Sequence, residues 1–167
     1  MAPQELERTV QRSVVDRLID TDVDASTEAP LTWAQSVRDL KRALRRDLEW
    51  LLNTRRIAQL APDGFTELPR SVYHYGLPDI TSLAAESVAA RDWLRRQVEE
   101  TILLFEPRLS GVRVTIATED KEGRRELRFV IDGLLRMEPS PEQVVFDTVL
   151  EVTSATFEVR GEGADAR

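Results

Sequence analysis

The sequence predicts an α+β domain with its helices first and a small antiparallel sheet after them. Apolar residues recur at three- and four-residue spacing up to Phe105, and alternate with polar residues from Val112 onward. The helical pattern thus precedes the alternating one instead of interleaving with it, which argues against a parallel βαβ sheet. The composition agrees: 167 residues, 41% hydrophobic and 32% charged, is an ordinary globular balance.

The elements follow in order. Leu6, Val10, Val14 and Leu18 share one face of an N-terminal amphipathic helix that docks on the body or on a partner. The acidic, polar stretch 20–31 reads as a linker; it lacks the glycine and closing glutamate of a calcium loop. Thr32-Trp33-Ala34-Gln35 has the form of a capping box and opens a helix to about Asn53. Its apolar stripe is Val37, Leu40, Leu44, Leu48 and Leu51, with Arg38, Lys41, Arg42, Arg45 and Arg46 facing elsewhere. Residues 54–82 carry little regular pattern but clear turn chemistry in Pro62-Asp63-Gly64 and Gly76-Leu77-Pro78. A loop of this length is functional or tied down by its aromatic residues.

A second helix spans about Ser87 to Phe105, with Leu94, Val98, Thr101, Ile102 and Phe105 on one face and Leu103 off it. Pro107 ends it, because the residue before a proline is pushed out of the helical region. Val112, Val114 and Ile116 then make one strand, and Leu127, Phe129 and Ile131 the next, around a Lys121-Glu122-Gly123-Arg124 turn. Pro139-Ser140-Pro141 opens another turn. Phe146, Thr148 and Leu150 alternate, and a parity shift near Thr153-Ser154-Ala155 precedes Phe157 and Val159. The domain boundaries expected are 1–31 for the helix and linker, 32–160 for the α+β domain, and 161–167 for a flexible tail.

Several function classes are excluded or weakened at once. There is no cysteine, so thiolate zinc sites and cysteine nucleophiles are ruled out. The single histidine, His74, lies between two tyrosines with no serine–acid arrangement around it, so a hydrogen-bonding role is the favoured reading. A net charge of −7 argues against duplex nucleic acid as a partner. No apolar run reaches membrane-spanning length and the start does not read as a signal peptide, so a cytoplasmic protein without direct membrane insertion is expected. The carboxylate pairs Asp47/Glu49, Glu99/Glu100 and Glu119/Asp120 sit among arginines, as structural ion pairs do, instead of flanking a cleft. No catalytic residue, metal or cofactor is assigned.

Recognition has a better candidate. Glu106-Pro107-Arg108 stops a helix and projects its acid and its guanidinium to the same side of an extended segment. Proline stiffens the segment, so little ordering entropy remains to be lost when a partner binds.

The ordered motifs Leu51-Leu52-Asn53-Thr54-Arg55-Arg56, Tyr75-Gly76-Leu77-Pro78-Asp79 and Phe105-Glu106-Pro107-Arg108-Leu109 resemble the type VI secretion baseplate subunit family TssE. That family is the bacterial relative of the phage-tail baseplate wedge proteins called lysozyme-like. The resemblance runs from about residue 13 to about 160. It implies a baseplate wedge-like fold and a structural, non-enzymatic part in a contractile injection machine. Glu106, Pro107 and Arg108 match the family's acidic–proline–arginine motif, which implies docking on the wedge's core helical bundle and contact with subunits of the TssF, TssG and TssK types. The first two motifs add Asn53, Arg55, Arg56, Tyr75 and Asp79 as second-rank candidates for partner contact. The resemblance further implies that the protein helps nucleate a sheath of the TssB/TssC type. An outermost strand edge at Phe157, Glu158 and Val159, guarded only by Glu158 and Arg160, is the candidate acceptor for a sheath strand. Where the family usually carries Thr-Gly in the last turn, this chain reads Ser154-Ala155. The alternative carried by the family label is a peptidoglycan-degrading glycosidase.

Overall fold

The structure, a computed structural model, describes residues 13–19, 32–59, 62–81, 87–117 and 126–161. The start of the first amphipathic segment, most of the acidic linker, the Glu119/Asp120 pair, the Lys121-Glu122-Gly123-Arg124 turn and residues 162–167 lie outside the described residues. The chain divides into two compact units, Met1–Leu44 and Arg45–Arg167, and helix α2 (Trp33–Asn53) contributes to both.

In the first unit, helix α1 covers Val14–Leu18, and the Ser13 hydroxyl accepts from the Asp16 N–H as its cap. Val14, Val15, Leu18 and Ile19 are all exposed. Helix α2 begins as the capping box requires. The Gln35 N–H donates to Thr32 Oγ1 at 3.3 Å, and the Thr32 N–H donates to Gln35 Oε1 at 2.9 Å. Thr32→Ala removes the cap acceptor and is expected to cost about 1 kcal/mol in chemical denaturation. Val37, Leu40 and Leu44 are buried, as the stripe predicts.

In the second unit the stripe continues through buried Leu48, Leu51 and Leu52. Helix α3 covers Val88–Phe105 with Ser87 as its cap. Its buried side chains are Leu94, Val98, Thr101 and Ile102, while Leu103 is exposed, so the predicted face is the packed one. Glu106 ends the helix in a non-helical conformation one residue before Pro107.

Four strands follow, β1 (Leu109–Ala117), β2 (Glu126–Leu135), β3 (Glu142–Glu151) and β4 (Thr156–Arg160). They form one antiparallel sheet in chain order, so β1 and β4 are its edges. Helices before a four-stranded antiparallel sheet make the α+β architecture read from the sequence. Phe129 and Ile131 of β2, Phe146, Thr148 and Leu150 of β3, and Phe157 and Val159 of β4 are buried on the alternation predicted, while Leu127 is half-buried and Val149 is buried off it. Phe129 and Phe157 meet across the sheet with ring centroids 6.1 Å apart.

Two irregularities shape the sheet. The β1–β2 register shifts between Ser110 and Arg113, where Gly111 takes φ +61°. This bulge lets Leu109 and Val112, an odd number of residues apart, both be buried. In the turn before β4, Ala155 takes φ 53°, the left-handed conformation that a glycine adopts without penalty.

The stretch after α2 is tied back on itself by a bridge. The Arg56 N–H donates to the Leu77 carbonyl at 2.8 Å and the Leu77 N–H to the Thr54 carbonyl at 2.9 Å. Two short 3₁₀ turns, Leu68–Arg70 and Val72–His74, lie between these partners. Gly76 is buried at φ +100° and has no room for a side chain.

Candidate interaction site

The sequence places Glu106 and Arg108 two residues apart around a proline, and the fold turns them onto each other. Arg108 Nε donates to Glu106 Oε1 at 2.7 Å and Nη2 to Oε2 at 2.5 Å, a bidentate pair. The Arg108 backbone N–H also reaches Glu106 Oε1 at 3.2 Å. Helix α2 supplies a second carboxylate, with Arg108 Nη2 donating to Asp47 Oδ2 at 2.7 Å. The other oxygen of Asp47 accepts from Arg46 Nε and Nη2, at 3.0 and 2.7 Å. Two guanidiniums and two carboxylates therefore join α2 to the corner between α3 and β1.

Burial sets the character of this corner. The Glu106 side chain is only 7% exposed, Asp47 and Arg108 about a quarter, and Pro107 is exposed. Hydrogen bonds to Glu106 and then to Asp47, with their charges, hold the Arg108 guanidinium above the ordinary arginine range, outweighing its burial. Arg108 Nη1 is buried with no hydrogen-bond partner. The corner is pinned from the sheet side too, because the Arg136 N–H donates to the Arg108 carbonyl at 2.7 Å.

An aromatic rim adjoins the ion pairs. The Arg46 guanidinium lies 4.9 Å from the centroid of Trp50, an exposed residue one turn along α2 from Asp47. Tyr75 packs edge-on against Phe105, the last residue of α3, at 5.3 Å. Burial, and then the charges of Asp47 and Glu106, push the Tyr75 phenol above its ordinary value. Because the folded chain holds that proton more tightly than the unfolded chain, the contribution is complete below about pH 10 and is lost as pH rises through the folded-state value. In an alkaline ultraviolet titration, the absorbance step removed by Tyr75→Phe is expected to lie above pH 10 in the folded protein.

The other candidates serve the scaffold. Arg55 donates Nη1 to the Leu52 carbonyl at 3.3 Å and Nη2 to the Ala155 carbonyl. Arg56 Nη2 donates to Gln97 Oε1 of α3 at 3.2 Å. Asn53 bonds both the N–H and the carbonyl of Phe157. Asp79 is exposed and accepts from the N–H and hydroxyl of Thr81, bonds that hold its carboxyl below the usual range. Of the second-rank group, only Tyr75 reaches the corner.

Phe157, Glu158 and Val159 lie on an edge strand, as the sequence suggests, but three outward backbone groups of that strand are occupied, the N–H and carbonyl of Phe157 and the N–H of Val159. The Phe157 and Val159 N–H groups point away from β3 into side chains of α2, Asn53 Oδ1 at 2.8 Å and Glu49 Oε2 at 3.2 Å. Glu158 therefore faces β3 with its backbone, opposite Val149, and a proline there would remove a ladder bond. At the other edge, the Val114 N–H of β1 donates to Glu99 Oε2 of α3 at 2.9 Å.

Sequence reasoning missed Asp47 as the third member of the corner, having weighed it only as half of a catalytic pair. Its signal was position: it flanks the stripe residues Leu44, Leu48 and Leu51, where a carboxylate is partly buried and needs a cation. A hollow of about 420 Å³ lined by Gly64, Phe65, Thr66, Glu67, Leu68 and Ser71 contains none of the candidate residues. Among the described residues no cluster of histidine, aspartate and glutamate is arranged to hold a metal ion, and no helix is long and apolar enough to cross a membrane.

Set against known families, the chain matches the family described as baseplate wedge protein gp25 over residues 38–140. That span takes in Asp47, the Glu106-Pro107-Arg108 corner and all of the second-rank group, and ends before β3. A search of curated proteins finds no match to the chain.

Proposed function

The chain belongs to the baseplate wedge protein gp25 family, and from that membership we propose that it is the TssE-type subunit of a type VI secretion baseplate, docked on the wedge through Glu106, Pro107 and Arg108. Membership itself makes the protein a structural part of a phage-like baseplate that contacts other baseplate proteins. The narrower reading agrees with the resemblance of its motifs to the type VI family. The observation that carries the docking surface is the corner itself. An exposed proline stands between a buried carboxylate and its guanidinium, and Asp47 and the Arg136 N–H lock the pair in place. A surface so fixed loses little entropy when it meets a partner, and the neighbouring exposed Trp50 and half-buried Arg46 are of the residue types that dominate binding energy.

In this reading the partners are the core helical bundle built by TssF and TssG types, with TssK in the same baseplate. The exposed apolar side chains of α1 add a further contact. Sheath strands of the TssB/TssC type add at a sheet edge, and at both edges a helix carboxylate now holds an outward N–H, Glu99 at Val114 and Glu49 at Val159. The protein acts in the cytoplasm, binds no nucleic acid and carries out no catalysis.

Arg108→Lys tests the docking surface with the least harm to the fold, since it keeps a positive charge beside Glu106 and removes the bidentate fork. Recovery of TssF- and TssG-type subunits on the tagged variant is expected to fall about tenfold or more, in line with a loss of about 2 kcal/mol at a buried charged contact. Recovery equal to that of the unaltered protein would remove the corner from the interface. The glycosidase alternative is tested with the purified protein on peptidoglycan. No product is expected, and hydrolysis abolished by one carboxylate substitution would overturn the structural reading.

A further inference from the structure

The side chains that meet β4 are spaced like a strand. Glu49 and Asn53 are four residues apart on α2, a rise of about 6.0 Å along one helix face. Their targets, Val159 and Phe157, are two residues apart on β4, about 6.8 Å in an antiparallel strand. The near match lets one helix face serve two successive outward positions of the edge. Asn53 does so in full: its Nδ2 donates to the Phe157 carbonyl at 2.8 Å and its Oδ1 accepts from the Phe157 N–H at 2.8 Å. That exchange is the one a facing residue makes in a hydrogen-bonded antiparallel pair. Glu49 Oε2 takes the Val159 N–H at 3.2 Å, and Arg55 Nη2 donates to the Ala155 carbonyl. Positions 49, 53 and 55 meet 159, 157 and 155 in reverse order, as a real antiparallel strand would.

We propose that Glu49, Asn53 and Arg55 act as a surrogate fifth strand that closes the β4 edge against pairing with a second copy of this chain. An open edge with a buried apolar face is a template for edge-to-edge association, and charge alone on Glu158 and Arg160 is a weak guard. The surrogate satisfies the edge with side chains from the chain's own helix. This closure does not depend on the baseplate role.

The chain has no cysteine, so a single introduced thiol reports pairing cleanly. If two β4 edges paired antiparallel, Phe157 of each copy would face Val159 of the other and the two Glu158 positions would lie opposite each other. In such non-hydrogen-bonded pairs the Cα atoms are about 4.5 Å apart, within disulfide reach. Glu158→Cys is therefore made in the otherwise unaltered protein and in the Glu49→Ala/Asn53→Ala background. Fold is checked by circular dichroism, and disulfide dimers are followed at several concentrations under diamide. Dimer formation is expected to be at least about tenfold faster without the surrogate, one net hydrogen bond being worth about that factor. Equal rates in two folded proteins would overturn the proposal. If the double substitution does not fold, the same comparison is made with Asn53→Ala alone, and amide exchange is measured on the unaltered chain. The Phe157 and Val159 amides should exchange at least about tenfold more slowly than those of Thr153 and Ser154 in the turn. Exchange as fast as in the turn would equally overturn it.

Discussion

Arg108→Ala is expected to destabilise the protein by about 3–5 kcal/mol in guanidinium denaturation, a large fraction of the stability of a domain this size. The arginine itself is not the source of the cost. Its removal leaves the Glu106 carboxylate buried without a counter-charge, and leaves one Asp47 oxygen without the donor that links α2 to the corner. Because the penalty belongs to the stranded partner, Glu106→Ala/Arg108→Ala should cost less than the sum of the two single substitutions. Additive losses would mean that the two side chains contribute separately and that the bidentate pair has no energetic meaning. This expectation reverses the one invited by the sequence, in which Arg108 follows a helix stop and looks replaceable without harm to the fold.

Gly76→Ala should be comparably damaging, at about 3 kcal/mol or more, for a different reason. A Cβ at Gly76 would sit 2.3 Å from the Thr54 carbonyl oxygen and 2.8 Å from its carbon. Those are backbone atoms, and the same carbonyl accepts the Leu77 N–H in the bridge that ties back the long loop. The methyl can be admitted only by opening the bridge. Gly64 is the built-in control, at φ +92° with nothing within 4 Å of where a Cβ would stand. Gly64→Ala should therefore cost only the conformational term, about 1 kcal/mol. If thermal melts of the two variants shifted equally, the close approach to Thr54 would not be what fixes the glycine.

How much of this was legible in the sequence depended on the distance over which the information acts. The Thr32/Gln35 cap, the α2 stripe, the Pro107 stop and the alternation in β2 to β4 are all local, and each appears where the pattern puts it. The corner was half legible. The spacing of Glu106 and Arg108 around a proline marked the place, but the second carboxylate on Arg108 comes from Asp47, 61 residues earlier in the chain. Asn53 illustrates the limit most clearly. Within its motif it could be assigned only to partner contact, while its hydrogen bonds run to a strand 104 residues away. Arg55 and Arg56 likewise spend their guanidiniums on the Ala155 carbonyl and on Gln97. Ala155 shows the converse, since the turn expected from a departed Thr-Gly pair still forms, with alanine carrying the left-handed conformation.

The bulge at Gly111 separates two requirements that a regular strand would have tied together. Without it, burying Leu109 would place Arg113 on the packed face and turn Val112 and Val114 outward. The extra residue works as a phase shifter between the ion-paired corner and the sheet. Upstream of it Leu109 and Ser110 pair with Leu135 and Leu134 in the phase the corner needs, and downstream Arg113 to Ala117 pair with Asp132 to Arg128 in the phase the core needs. The corner is therefore coupled to β2 on both sides of the glycine, through these pairs and through the Arg136 N–H on the Arg108 carbonyl. One inserted glycine thus sets two burial phases along a single strand without uncoupling the ion pairs from the sheet.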